Sequence, residues 1–378
     1  MRVKLNKRTV MISAPLVVII GFYLFTRWQV FAAVRMIEAH GGKIQSYPTL
    51  DGLPIWCSRS TTTIDMDFCK VPADSWDFLT HFPDTQMLWL MDTGLDDRSC
   101  QNISQMKDLQ FVNLSYNNIT DDSMTYLLNM NSLSSVGLSG TNVSNIGVKQ
   151  LCKQGHISEL YVDDTNVTDE AIVYACEYCD FVTLMFSNTD IGDVTLKTLA
   201  DKEELGTLSC SNTNVTDDGI AYLFSRQWSL SEVDISHNKL TLKSLRHIGG
   251  LKCLSSIDLS GIQCRTSVMN VIGKSKSIPY FTGKNTVFDW SQIQVNDSIK
   301  IVDLDLGGAA IEDDDIQGIA NIRRITELDV NHTHVSDASV EAFIGMKTLR
   351  YLTLTGTRIS EAGVRQLRNA RPDVSVVF

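Results

Sequence analysis

Within the stretch YLTLTGTRISEAGVRQLR, residues 351–368, six polar side chains fall in nine positions: Thr353, Thr355, Thr357, Arg358, Ser360 and Glu361. Hydroxyls beside a carboxylate and a guanidinium are the raw material of nucleophilic and acid–base catalysis. Elsewhere, Cys176 and Cys179 form a C-x-x-C. No second pair lies at zinc-finger spacing, however, and no thioredoxin-like context surrounds it. His237, His332 and His334 are metal-ligand types, but His332 and His334 share one short segment and His237 lies far upstream. A Gly-Lys-Ser at 273–275 lacks the glycine five positions earlier that a phosphate-binding loop requires, because Val268 stands there. The nine cysteines are an odd number, so at least one is left without an intramolecular partner, and Cys57 with Cys69 can close a loop in an oxidising compartment.

The hydroxyls and carboxylates of 351–368 are not unique to it. Segments of the form apolar-x-apolar-x-x-Thr/Asn-x-apolar-x-acid recur along the chain. Their second apolar residue falls at Leu90, Leu114, Leu138, Val162, Phe186, Cys210, Ile235, Leu259, Gly283, Leu306, Val330 and Leu354. The spacing is 24 with one step of 25 and one of 23, and it extends back to Met66 and forward to Phe378. A threonine column follows (Thr93, Thr141, Thr165, Thr189, Thr213, Thr286, Thr333, Thr357), with Asn117 and Asn238 in its register. A column repeated at every turn needs only a shared backbone role, and a short side-chain oxygen can satisfy turn amides. Further on come Asp97, Asp121, Asp169, Asp193, Asp217, Asp313, Asp337 and Glu361, often after Thr or Ser. This pattern predicts an N-cap hydroxyl and a first-turn acid at the positive end of each helix. Four of the eight N-x-S/T sequons, at Asn118, Asn142, Asn166 and Asn214, fall at a fixed place in the period, which explains them without glycosylation. No metal, cofactor or catalytic constellation rises above this background, so the reading is non-enzymatic.

The elements that must position these side chains follow from the same period. Alternation of Leu160, Tyr161 and Val162 predicts a short strand with Leu160 and Val162 inward. One repeat of 24 residues cannot repay its own ordering entropy, so neighbours must stack. The expected fold class is α/β, a solenoid with a curved parallel sheet on one side and short helices on the other. LQFVNLSYN (109–117) and LSEVDISHN (230–238) resemble the L-x-x-L-x-L-x-x-N consensus of leucine-rich-repeat proteins. NVTDEAI (166–172), NVTDDGI (214–220) and RISEAGV (358–364) resemble the T-D-x-G-L variant. With RMIEAHGGKIQSYP (35–48) and LRNARPDVSVVF (367–378), the chain is similar to single-pass planctomycete membrane proteins of that family. The resemblance implies a protein-binding scaffold.

Charge and hydropathy set the context. The chain carries a net −11, yet residues 1–35 hold Arg2, Lys4, Lys7, Arg8, Arg27 and Arg35 and no acid, so the body is more acidic still. Such a body repels phosphate backbones and argues against nucleic acid as partner. Between Arg8 and Arg27 lie eighteen uncharged residues, long enough for a membrane helix. The basic flank predicts the N-terminus inside the cytoplasm and the body outside, at the cell membrane as a single-pass signal anchor. The expected organisation is 1–28 basic tail and transmembrane anchor, 29–60 juxtamembrane helix and N-terminal cap, and 61–378 repeat domain. Positions flanking the inward pair face outward from the sheet, and these are the candidate partner-binding residues. Early strands present Met87, Trp89, Phe111 and Tyr161; later ones present Glu232, Asp234, Asp258, Asp303, Asp305, Glu327, Asp329 and Tyr351. The partner is expected to be a protein or peptide, of basic character for the acidic strands. The terminal strand VSVVF leaves an edge through which a second copy could pair. Two alternatives remain, a ubiquitin-ligase-type F-box-like adaptor and an enzyme with an unrecognised site; residues 29–60 are too short for an F-box.

Overall fold

The computed structural model describes residues 28–46, 61–128, 130–267, 271, 278–293 and 299–378. Among them no helix is long and apolar enough to cross a membrane, and the uncharged run at 9–26 lies outside the described residues. So do Cys57 and the Gly-Lys-Ser at 273–275. Two compact units are present: Met1–Asn118 with Tyr126–Leu133, and Ile119–Thr125 with Ser134–Phe378.

In the first unit, residues 28–39 form a helix whose Ala33, Val34 and Ile37 are buried. Strand Lys43–Ser46 then pairs antiparallel with Thr61–Asp65, the single departure from parallel pairing in this unit. Thr61–Asp65, Met87–Trp89 and Phe111–Asn113 follow in parallel register, so that Ile64, Leu88 and Val112 stack in one fully buried row. Asn117 holds the turn region together. Its Oδ1 accepts from the amides of Thr93 (3.1 Å), Gly94 (3.0 Å) and Leu95 (3.0 Å), while Nδ2 donates to the carbonyls of Leu90 (2.6 Å) and Leu114 (3.0 Å).

The second unit repeats one motif: a three-residue strand, a tight turn, a short helix. Its strands run from Ser135–Gly137 to Ser375–Val377, all parallel and in register with the next. Alternation puts Leu160, Leu184, Leu208 and Leu304 on one buried row and Val162, Phe186, Leu306 and Val330 on the next. Where the second row reads Gly283, the Phe281 ring and Leu306 occupy the space: a Cβ there would lie 3.1 and 3.3 Å from them. The period breaks down at its end. Phe378, which the spacing places inward, is 49% exposed. Each row buries roughly 1.5–3 kcal/mol of side chain per Leu or Phe, and consecutive repeats share it.

Candidate functional site

The polar columns resolve into scaffold. The threonine hydroxyls donate to the carbonyl three residues back, and Thr141 and Thr357 also accept from the amide two residues on (3.5 Å each). Thr165 reaches Val162 O (2.6 Å), Thr189 Phe186 O (2.6 Å), Thr333 Val330 O (2.6 Å) and Thr357 Leu354 O (2.7 Å). The acids do not cap their own helices. Asp193 accepts from the Thr216 amide (2.8 Å) and hydroxyl (2.6 Å), Asp313 from Ser336 in the same way (2.9 and 2.6 Å), and Asp337 from Ser360 (2.7 and 2.7 Å). Each carboxylate therefore caps the helix of the next repeat, and these hydrogen bonds hold Asp313 and Asp337 below the usual carboxylate range against any effect of burial. The T-D-x-G pattern acquires a reason. At Gly147, Gly219 and Gly363 a Cβ would come within 2.4, 2.1 and 2.3 Å of the preceding repeat's Asp Oδ1.

Where the acid is replaced, the arrangement adapts. Helix Leu242–Leu245 is a single turn. Trp290, at an acid position, is fully buried edge-to-face on Phe281 (5.3 Å, 86°), and Asp315 accepts from its amide (2.8 Å). The histidines also have structural posts: His237 and His332 take left-handed backbone (φ 55° and 53°) and pack over Gly261 and Gly356. Among the described residues no three His, Cys, Asp or Glu are grouped to hold a metal ion. A polar hollow of about 540 Å³ at the turns is lined by Asn166, Asp190 and Asn214 among others, and its Asn212 and Asn188 amides are bonded to each other (2.8 Å).

What the repeat leaves free is the outward face of the strands. In the first unit Met87 is exposed and pairs with Phe111, whose ring meets Trp89 at 4.2 Å and 41°. Tyr161 belongs to the second unit and is drawn into a polar contact, its hydroxyl 3.4 Å from Glu159, which also accepts from Ser135 (2.7 Å).

The acidic candidates are all brought onto one sheet of the second unit. Asp234 lies opposite Asp258, Asp303 opposite Glu327, and Asp305 opposite Asp329. Glu327 is in turn opposite Tyr351, and Asp303 is opposite Tyr280, both tyrosines being more than half exposed. Tyr280 was not legible as a candidate because the inward position two residues past Phe281 is a glycine, which disguises the alternation. Lys284 is the cation in contact, 2.8 Å from Asp305. Glu232 is exposed at the far end of the same row. Like charges directly opposite one another in a sheet are destabilising. Burial raises the Asp303 carboxyl, and Glu327, Asp305 and Asp329 raise it further. Burial likewise raises Asp258 and Asp329, with Asp234 adding to the first and Asp305 to the second. A folded pKa above the unfolded one means stability gained as pH falls through the folded value and lost as pH rises through it. At neutral pH this face carries an electrostatic cost, and its chemistry is that of a negative, tyrosine-flanked surface rather than of an acid–base site.

Residues 105–128 match the Leucine Rich repeat family. No curated protein matches the chain. Among solved structures, an internalin of Listeria monocytogenes is similar at 18% identity, TM-score 0.51, over 84% of this chain and 86% of that one. A leucine-rich-repeat protein of Leptospira interrogans (15%, TM-score 0.45, 83% and 95% covered) and a plant peptide hormone receptor in complex with RGF2 (12%, TM-score 0.41, 82% and 64% covered) are also similar. At these identities the likeness is one of fold. The matched repeat, the 24-residue period and the in-register parallel strands identify the chain as a leucine-rich-repeat protein.

Proposed function

We propose that the chain is a membrane-anchored, extracytoplasmic and non-enzymatic binding module whose second unit receives a basic segment of a protein or peptide on its acidic sheet face. The observation that carries this reading is the in-register stacking of Asp303 on Glu327 and Asp305 on Asp329, with Tyr280 and Tyr351 beside them. A partner bearing Lys or Arg adds counter-charge to that of Lys284, relieves the repulsion between neighbouring strands and finds tyrosine faces for cation–π contact. Trp89 and Phe111 give the first unit an aromatic surface of the type that dominates interface energetics. The anchor reading rests on the uncharged run at 9–26 between Arg8 and Arg27.

The test changes Asp303 and Asp329 to Asn, Asp305 to Asn and Glu327 to Gln together. The variant is expected to lose at least tenfold in affinity for an Arg/Lys-rich probe peptide while its melting temperature at pH 7 stays level or rises. Its stability advantage should shrink as pH falls, since the wild-type carboxyls protonate and their repulsion disappears. Unchanged capture of the peptide would remove this face from consideration. For the anchor, alkaline carbonate should leave the intact chain in the membrane pellet; a soluble, full-length chain would overturn that part.

A further inference from the structure

Three cysteines of the second unit come together at the ends of two consecutive helices. Cys152 is the last residue of helix Asn145–Cys152, Cys176 follows helix Asp169–Ala175, and Cys179 lies one turn further on. All three are buried, at 0%, 4% and 1% exposure. The Cys179 thiol donates to the Cys152 carbonyl (3.3 Å). Within the C-x-x-C that the sequence shows, Cys179 is turned to Cys152, 27 positions away. The same two repeats are joined at their other helix ends by Asn145 in place of a carboxylate. Its Oδ1 accepts from the Thr168 amide (2.9 Å) and its Nδ2 donates to the Thr168 hydroxyl (2.9 Å), so this junction lacks the charge-assisted cap of its neighbours.

We propose that Cys152 and Cys179 form a disulfide that ties these two repeats together when the chain folds in an oxidising compartment. The chemistry is thiol–disulfide exchange with a small disulfide as oxidant. Cys179 thiolate attacks one sulfur of the oxidant and expels a thiolate, leaving a mixed disulfide. The Cys152 sulfur, giving up its proton, attacks the Cys179 sulfur and expels the second thiolate; the two departing thiolates carry off the two protons and both electrons. Contact with Cys152 lowers the Cys179 pKa, which suits it to attack first; the Cys152 and Cys176 thiols are both pushed up, Cys176 to about 12, so the choice of Cys152 as partner rests on where the Cys179 thiol points. Among the described residues no three His, Cys, Asp or Glu are grouped to hold a metal ion, these three sulfurs included. Closing a loop of this length restricts the unfolded chain, so the oxidised form is the more stable one.

The experiment refolds the full chain in detergent with a glutathione and glutathione-disulfide mixture, alkylates free thiols before any reduction, and maps the non-reduced peptides. The expected result is a cross-linked peptide pair containing Cys152 and Cys179, with Cys176 alkylated. Reduction should lower the melting temperature of the wild type and of Cys176→Ser equally, and should leave that of Cys152→Ser unmoved. Recovery of Cys152 and Cys179 as alkylated thiols, a Cys176–Cys179 cross-link, or a Cys176→Ser melt insensitive to reduction would each overturn the proposal. None of these outcomes bears on partner binding, because the acidic face carries no cysteine.

Discussion

Replacing Asn117 by Leu is expected to destabilise the first unit by roughly 3–5 kcal/mol, since each buried polar group left unpaired costs about 1–3 kcal/mol. Leucine matches asparagine in the number and branching of its side-chain heavy atoms and returns none of its hydrogen bonds. The amides of Thr93, Gly94 and Leu95 lose their common acceptor and the carbonyls of Leu90 and Leu114 lose the Asn117 amide, Leu90 keeping the Thr93 hydroxyl (3.0 Å). The side chain is 5% exposed, so water cannot replace the lost bonds without opening the turn. Asn117→Thr should fall between wild type and Leu: a threonine here would reach the carbonyl of Leu114, as the other threonines do three residues back, but would leave the amides of residues 93–95 unanswered. Urea denaturation followed by circular dichroism measures both. A loss below about 1 kcal/mol for the leucine variant would mean that the turn rearranges freely and that the asparagine is not its brace.

The difference between what the period made legible and what it did not lies in which neighbour a side chain addresses. Leu88, Leu160 and Leu304 are inward because alternation and a fixed spacing leave them nowhere else to go, and this needs no knowledge of the partner strand. Asp193 and Asp337 could be placed in the first turn of their own helices on the same grounds. That their carboxylates reach 23 positions ahead is a statement about the gap between repeats, which a one-dimensional pattern does not contain. Tyr280 was hidden by Gly283, and the Cys152–Cys179 contact by the more conspicuous C-x-x-C. On the candidate face the acids were readable as outward, while their exact opposition, Asp303 to Glu327 and Asp305 to Asp329, required the register.

Gly219→Ala is expected to cost about 2 kcal/mol, against the ordinary rule that alanine favours a helix over glycine by close to 1 kcal/mol. The added Cβ would sit 2.1 Å from Asp193 Oδ1 and 3.1 Å from Asp193 Cα, so the carboxylate must leave. It then gives up the Thr216 amide and hydroxyl, charge-assisted bonds worth about 1.5–3 kcal/mol. Asp193→Ala alone should cost a similar amount, because it removes the same two bonds from the same helix start. The decisive measurement is the double variant. With the carboxylate absent, the alanine at 219 keeps only the 3.1 Å approach to the Cα of residue 193 and recovers its helix preference, so Gly219→Ala should change sign and stabilise the Asp193→Ala background by up to about 1 kcal/mol. A coupling of about 3 kcal/mol across the cycle would establish that the glycine of the T-D-x-G pattern is there to admit the preceding repeat's carboxylate. Equal destabilisation in both backgrounds would place the clash on the backbone instead and separate the glycine from the acid.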